Sequence, residues 1–389
     1  MTSFRQTKTI GRRQVLADAT LAAAGLAISP SSSVLAQLTS LDPVIRVSGI
    51  EVTTVRVTAR TNWIIVRLHT NRGITGLGEA SLGRRTDLPE LREFFVMVDG
   101  ESVFDIQQYR QRGWSSAASG NRVLATAFSA IEQALWDIVG KALDVPIYQL
   151  FGGKLRESLP VYANINRATS DRSPDGFAQM AQQAVADGFA AIKAAPFDGF
   201  PSLESPAEEI VRAADLGIAC VMAMRAAIGD EVKLKIDVHS NFDVDLAIDV
   251  ARQLEPANLS WYEEPVAPTE LANTVAIHDA IKQRLAGGEF LFGIEGFGPL
   301  CQARAVDVIM PDVKHCGGIM EAQKIATLAE VAGITVSPHN PSGPVATAAS
   351  ANLCAALPNF EILEYQWGEA DWRTDLIEPP EVLTTATCW

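Results

Sequence analysis

The 389-residue chain is 48% hydrophobic and 20% charged, the balance of an ordinary globular protein with material for one large domain or two smaller ones. A net charge of −14 repels phosphate backbones and argues against a nucleic-acid partner. Past the N-terminal region no apolar run reaches the ~18 residues of a membrane span, and the scattered cysteines Cys220, Cys301, Cys316, Cys354 and Cys388 do not read as a disulfide framework.

The first residues, "TIGRRQVLADATLAAAGLAISPSSSVLA", carry paired Arg12 and Arg13, an alanine-rich apolar stretch interrupted by Asp18, and small residues ending at Ala36. This is the pattern of a twin-arginine export signal, so residues 1–36 are expected to be a leader and the protein periplasmic or secreted; the alternative is a disordered tail on a cytoplasmic enzyme. From 46 to about 84 the pattern is strand-like ("GIEVTTVRV", "WIIVRLHT", "RGITGLGEAS"). It then turns helical, with apolar residues at three- and four-residue spacing in "AFSAIEQALWDIVGKAL". Residues 46–158 are therefore read as an α+β module of ordinary domain size.

A different rhythm follows. Strand-like segments begin at 161, 190, 233, 259, 285, 306, 335 and 361, with helical stretches between most of them, and that recurrence is the repeat of a β/α barrel over 159–366. An open doubly wound sheet would want a glycine-rich loop after its first strand, and "VYANINRATSDRS" has none. The one long interval holds a polar insertion, "FDGFPSLESPAEE", after the second strand. Residues 367–389 are expected to return to the first module.

Active sites of such barrels lie at the C-terminal strand ends. Those ends carry Lys193, Asp237 with His239, Glu263, Glu289, Asp312, His339 and Glu364. In "KLKIDVHSNF", residues 233–242, alternation predicts that Lys235, Asp237 and His239 share one face, Lys235 deeper as a counter-ion to the carboxylates. Asp237, Glu263 and Glu289 fall on adjacent strands, and three converging carboxylates repel unless a cation holds them. Oxygen ligands without cysteine favour magnesium. Rim carboxylates paired with arginines are the alternative. Asp312 and His339 fall on the next two strands, where a carboxylate can orient an imidazole as a general base.

In order and spacing, "GITGLGEAS", "WDIVGKALDVPIYQLFGG", "KIDVH", "WYEEP", "AGGEF", "PDVKHCGG", "PHN" and "EILEY" resemble the enolase superfamily, and within it the mandelate racemase group of acid-sugar enzymes. The resemblance implies a capping domain on a (β/α)7β barrel, one Mg2+ on Asp237, Glu263 and Glu289, and a catalytic Asp312–His339 pair. It also implies Glu364 facing the developing enediolate, and often an even-numbered homo-oligomer. Magnesium with a His or Lys base is the handling of an enediolate already described for this superfamily. Two departures matter. Ala195 stands where many members carry a second lysine two residues after Lys193, which weakens a two-base racemase; Asp-x-His at 237–239 matches the galactonate and mannonate dehydratases.

The expected activity is dehydration of a sugar acid to a 2-keto-3-deoxy acid. In it His339 takes the α-proton, Lys193 offsets the growing charge, and His239 protonates the departing 3-hydroxyl. The rivals are an epimerase or cycloisomerase on the same site, or a non-catalytic sugar-acid binding protein. Arg167, Glu79 and His315 are candidate substrate contacts, and the loops near 57–63 and 80–86 with the insertion after Lys193 are expected to set specificity. The substrate would be a free small molecule, with no membrane involved.

Overall fold

The computed structural model describes residues 8–10, 45–384 and 387–388, so the expected leader lies outside the described residues apart from 8–10. Strands β1 (Lys8–Ile10), β2 (Val47–Arg56), β3 (Asn62–Thr70) and β4 (Thr75–Glu79) form a sheet in chain order, β1 parallel to β2 and the rest an antiparallel meander. Ile64, Val66 and Leu68 alternate along β3 with no exposed surface. Four helices follow: α1 (Leu91–Phe95), α2 (Ile106–Ala117), α3 (Arg122–Leu143) and α4 (Ile147–Leu150). Helix α3 starts where Asn121 accepts from the Val123 amide and stops at Asp144 in the left-handed conformation. It lies so close on β4 that a Cβ at Gly76 or Gly78 would stand 2.1 or 2.0 Å from a helix carbonyl. The helix is long and apolar enough to cross a membrane, but 78% of that stretch is buried inside the protein.

The barrel alternates β5 (Leu159–Asn164), α5 (Pro174–Ala186), β6 (Ala191–Ala194), α6 (Ala207–Ile228), β7 (Lys233–Asp237), α7 (Val244–Gln253), β8 (Leu259–Glu263), α8 (Leu271–Ala280), β9 (Leu285–Gly287), α9 (Gly293–Ala303), β10 (Val308–Ile309), α10 (Ile319–Ala332), β11 (Thr335–Val336), α11 (Pro344–Ala356) and β12 (Leu363–Gln366). Parallel pairing runs from β5 to β11 in chain order. The ring closes because β12 pairs with β5 and Val336 bridges Phe360 just before β12. This is the expected (β/α)7β arrangement, with all eight strands near their predicted starts. Beyond it, Trp372 packs 5.5 Å from Trp63 of the capping sheet, and β13 (Leu383–Thr384) pairs with β14 (Thr387–Cys388), which lies antiparallel on the start of β5.

Strand alternation layers the interior. Tyr162, Ala191, Trp261, Ala286, Val308, Met310 and Ile362 form an apolar layer. Two residues farther along their strands come Asn164, Lys193, Glu263, Asp312 and Glu364, all buried. Lys235 sits in the apolar layer: its ammonium lies 4.5 Å from the Trp261 ring centre and 5.2 Å from that of Tyr162, and burial takes its pKa down to about 7 although Glu361 and Glu263 favour its charge. Aromatic faces meet the ammonium at close range, and the Glu361 and Glu263 carboxylates act on it through space.

Glu79 is fully buried at the end of β4, and its carboxylate accepts from the amides of Gly343 (2.7 Å) and Ala346 (2.9 Å) and the Ser81 hydroxyl (2.6 Å). Helix α11 has Gly343 at its N-cap and no capping side chain of its own, so the capping domain supplies the cap. Glu79 joins the two domains and is absent from the lining of the cavity described next.

Candidate active site

A cavity of about 330 Å³ opens at the C-terminal ends of the barrel strands, beneath the capping domain. Arg60 and Thr61 of one capping loop and Ser81, Leu82 and Gly83 of another form its roof, as expected for these loops. Asp237, Glu289, Lys193, His239 and His339 reach it from the barrel.

Asp237, His239 and Glu289 bring ligand atoms within 4.8 Å of one another, a group able to hold a metal ion. Glu263 pairs in register with Asp237 on the neighbouring strand, and its carboxylate accepts from Lys193 Nζ (2.7 Å) and Trp261 Nε1 (2.9 Å). Glu264 turns away, accepting from the Gly288 amide at 2.7 Å. Burial, then the Asp237 charge, pushes Glu263 well above the usual carboxylate range; burial, then Glu264 and Asp237, does the same to Glu289. Within the cluster the buried Glu289 Oε2 accepts no hydrogen bond, while the two Glu263 oxygens accept from Lys193 and Trp261. Crowded, mutually repelling carboxylates with spare lone pairs fit a hard divalent cation.

Lys193 is the buried cation among them, 2.7 Å from Glu263, 3.2 Å from Glu364 and 3.3 Å from Asp237. Burial opposes its charge, but Glu263 and Glu364 outweigh that and hold the ammonium well above its ordinary range. Glu364 does not line the cavity. Its oxygens are taken by Asn164 (2.6 Å), the Asn340 amide (2.7 Å) and Lys193, so it anchors the lysine from behind.

His339 Nδ1 lies 2.8 Å from Asp312 Oδ2, and its Nε2 faces Glu289 at 3.2 Å. Burial lowers the imidazole pKa against the pull of Asp312, which favours the neutral ring. Burial also pushes Asp312 up, but Lys314, His315 and His339 reverse the effect and hold it well below the carboxylate range. His315 lines the cavity, bonded through Nδ1 to Thr126 Oγ1 at 2.9 Å. Burial takes it down to about 3, so it stays neutral. Arg167 lines the cavity too, paired with Glu369 at 3.0 Å.

His239 departs from simple alternation. Strand β7 ends at Asp237, and His239 and Ser240 both take positive φ (52° and 56°). The His239 amide donates to Asp237 Oδ1 (3.0 Å), and the chain curls back until Nε2 lies 3.2 Å from Asp237 Oδ2. Extended strand would have carried the residue ~6.6 Å onward. Two adjacent left-handed non-glycine residues are sparsely populated and cluster at functional sites. Its Nδ1 meets Asp198 Oδ1 at 2.6 Å. Asp198 was not anticipated from sequence, although it opens the polar insertion after β6. Lys314, 3.1 Å from Asp312, was also missed, despite standing two residues after it.

The N-terminal domain model of mandelate racemase / muconate lactonizing enzyme matches residues 36–152, and the enolase C-terminal domain-like model matches 176–386. The chain belongs to the mandelate racemase/muconate lactonizing enzyme family of the enolase superfamily. Among relatives in this family, a D-xylonate dehydratase of Haloferax volcanii is 33% identical over 86% of this chain and 82% of its own length. A D-galactonate dehydratase of Ralstonia pickettii is 30% identical over 79% and 78%. The crystal structure of a mandelate racemase/muconate lactonizing enzyme-like protein from Roseovarius sp. TM1035 superposes with a TM-score of 0.79 at 28% identity, covering 88% of this chain and 90% of that one.

Proposed function

We propose that this chain is a magnesium-dependent hydro-lyase that removes water from a sugar acid to give a 2-keto-3-deoxy acid. The observation that carries this reading is the pair of imidazoles, His339 on Asp312 and His239 on Asp198, whose Nε2 atoms flank one carboxylate cluster at a single cavity. Asp237, Glu263 and Glu289 would hold the magnesium, which when bound polarises the substrate carboxylate and offsets charge as the α-proton leaves. His339, neutral and oriented by Asp312, takes the α-proton through Nε2. Lys193 adds positive charge beside the carboxylate of the substrate. His239 gives a proton to the departing 3-hydroxyl. Ala195 lines the cavity where a second lysine would serve a two-base racemase, which favours elimination over inversion.

The relatives' names make C5 and C6 aldonic acids the first panel. With Mg2+ present, at least one should yield a 2-keto-3-deoxy acid, with turnover lost on chelation and restored by Mg2+. Exchange of the α-proton in heavy water without that product would replace dehydration by epimerisation. Binding with neither exchange nor product would leave a non-catalytic binder.

A further inference from the structure

We infer that Asp198 is a positioning residue for His239, holding its Nδ1 so that Nε2 faces the substrate's leaving group. This deepens the dehydratase reading and rests on it. The contact is one of two matching dyads: His339 offers Nδ1 to Asp312 at 2.8 Å and Nε2 to Glu289 at 3.2 Å, while His239 offers Nδ1 to Asp198 at 2.6 Å and Nε2 to Asp237 at 3.2 Å. Both imidazoles are thus turned the same way relative to the carboxylate cluster, although one comes from the loop after β11 and the other from the turn after β7.

Asp198 is itself immobilised. Its Oδ2 accepts from Asn166 Nδ2 at 2.8 Å and lies 3.5 Å from Arg172 Nη2. Arg172 is fixed in turn by the Asn166 side chain (2.6 Å) and the Ala195 carbonyl (2.5 Å). Next to it Phe197 packs against Gly217 of α6, where a Cβ would come within 2.1 Å of the ring, and against Phe242 at 5.0 Å. The insertion after β6 therefore delivers a rigid carboxylate to His239, much as a metal-free catalytic dyad holds its ring in one tautomer.

In the elimination the Cα–H pair becomes the Cα–Cβ double bond and its proton goes to His339. The C3–O pair leaves with oxygen, which takes the Nε2 proton of His239 and departs as water. The enol then gains a proton at C3 and loses the one on its C2 oxygen as it becomes the ketone. Asp198 keeps the Nδ1 proton in place, so the proton given up is the one on Nε2.

The test uses the full chain with Mg2+ and the sugar acid that wild type dehydrates, in heavy water. Asp198→Asn should lower dehydration about 10²-fold while α-proton exchange stays within about three-fold. Fluoride loss from the 3-deoxy-3-fluoro analogue, which needs no proton, should survive, and Asp198→Glu should recover part of the dehydration rate. Dehydration unchanged in Asp198→Asn overturns the assignment. So does a joint fall of exchange and dehydration with weakened Mg2+ affinity by calorimetry, which would make His239 a metal ligand. Nitrogen NMR of His239 in the unmutated chain gives an answer that needs no variant and no turnover: Nδ1 should carry a proton bonded to Asp198, and a bare Nδ1 overturns the inference. If wild type dehydrates nothing, the functional reading fails while this measurement still decides whether Asp198 holds the ring.

Discussion

Replacing Glu79 by Gln probes how the two domains are joined. The carboxylate accepts two amides at the start of α11 and one hydroxyl, all in the buried interior. Gln keeps the shape but turns one oxygen into an NH2 that meets a donor. The lost charge-assisted hydrogen bond costs about 1.5–3 kcal/mol, and the stranded N–H about 1–3 kcal/mol more, so a net loss of about 3 kcal/mol is expected. Gly343 leaves little slack for repair, since even a Cβ there would stand 2.8 Å from Glu79 Oε2. With about 2.1 cal/mol/K of unfolding entropy per residue, 3 kcal/mol corresponds to a fall of about 4 °C in apparent Tm for a chain of this size. Differential scanning fluorimetry reads the shift, and initial rates well below the Tm read the site. An unchanged Tm with a raised KM would refute the reasoning, because that is the signature of a side chain that touches substrate and not of an interdomain cap.

Two further outcomes follow from buried charge. Lys193→Met removes the cation between Glu263 and Glu364, and should lower turnover at least about 10³-fold while destabilising the fold by about 3 kcal/mol; retention of a tenth of the wild-type rate would contradict its assigned part. At Glu132, in α3, burial pushes the carboxyl up to about 7 despite hydrogen bonds from Met320, Ile319 and Trp136. A raised pKa gives stability that is fully present below the unfolded value of 4.5 and lost as pH rises through 7. Urea denaturation should therefore show wild type losing up to about 3 kcal/mol relative to Glu132→Gln across that window, and a flat difference would show that the carboxyl is not perturbed.

The barrel was legible because each strand obeys the same parity, apolar in the interior and polar two residues later, and the loops between strands recur at similar lengths. The same parity identified Lys193, Glu263 and Asp312 as inward-facing. It is silent where a side chain's partner comes from elsewhere in the chain. Lys235 has the parity of an active-site residue, but Trp261 and Tyr162 from other strands determine what it meets. Glu79 stands in a loop-like glycine-rich stretch, and only docking of α11 reveals it as a cap. His239 was found by its spacing from Asp237, yet its turn was not, since neither His nor Ser advertises a left-handed backbone as glycine does. Asp198 lies in an insertion with no periodicity, where an acid reads as solvated surface.

What gives the site a direction is that its two imidazoles are biased oppositely although each has two carboxylate neighbours. His339 is buried, and burial outweighs Asp312 to favour the neutral ring. The His239 side chain keeps about 35% of its surface exposed, and Asp237 first, then the hydrogen bond to Asp198, pushes it up to about 10 against the cost of burial. A neutral imidazole on one side of the cluster and a protonated one on the other are the starting states that the proposed elimination requires of its base and its acid. A cation among the carboxylates would lower both values, because both rings touch the cluster. Asp198, which does not belong to the cluster, supplies the part of the bias on His239 that comes from outside it. The insertion after β6 thus acts on the His239 imidazole alongside the motifs the chain shares with its family.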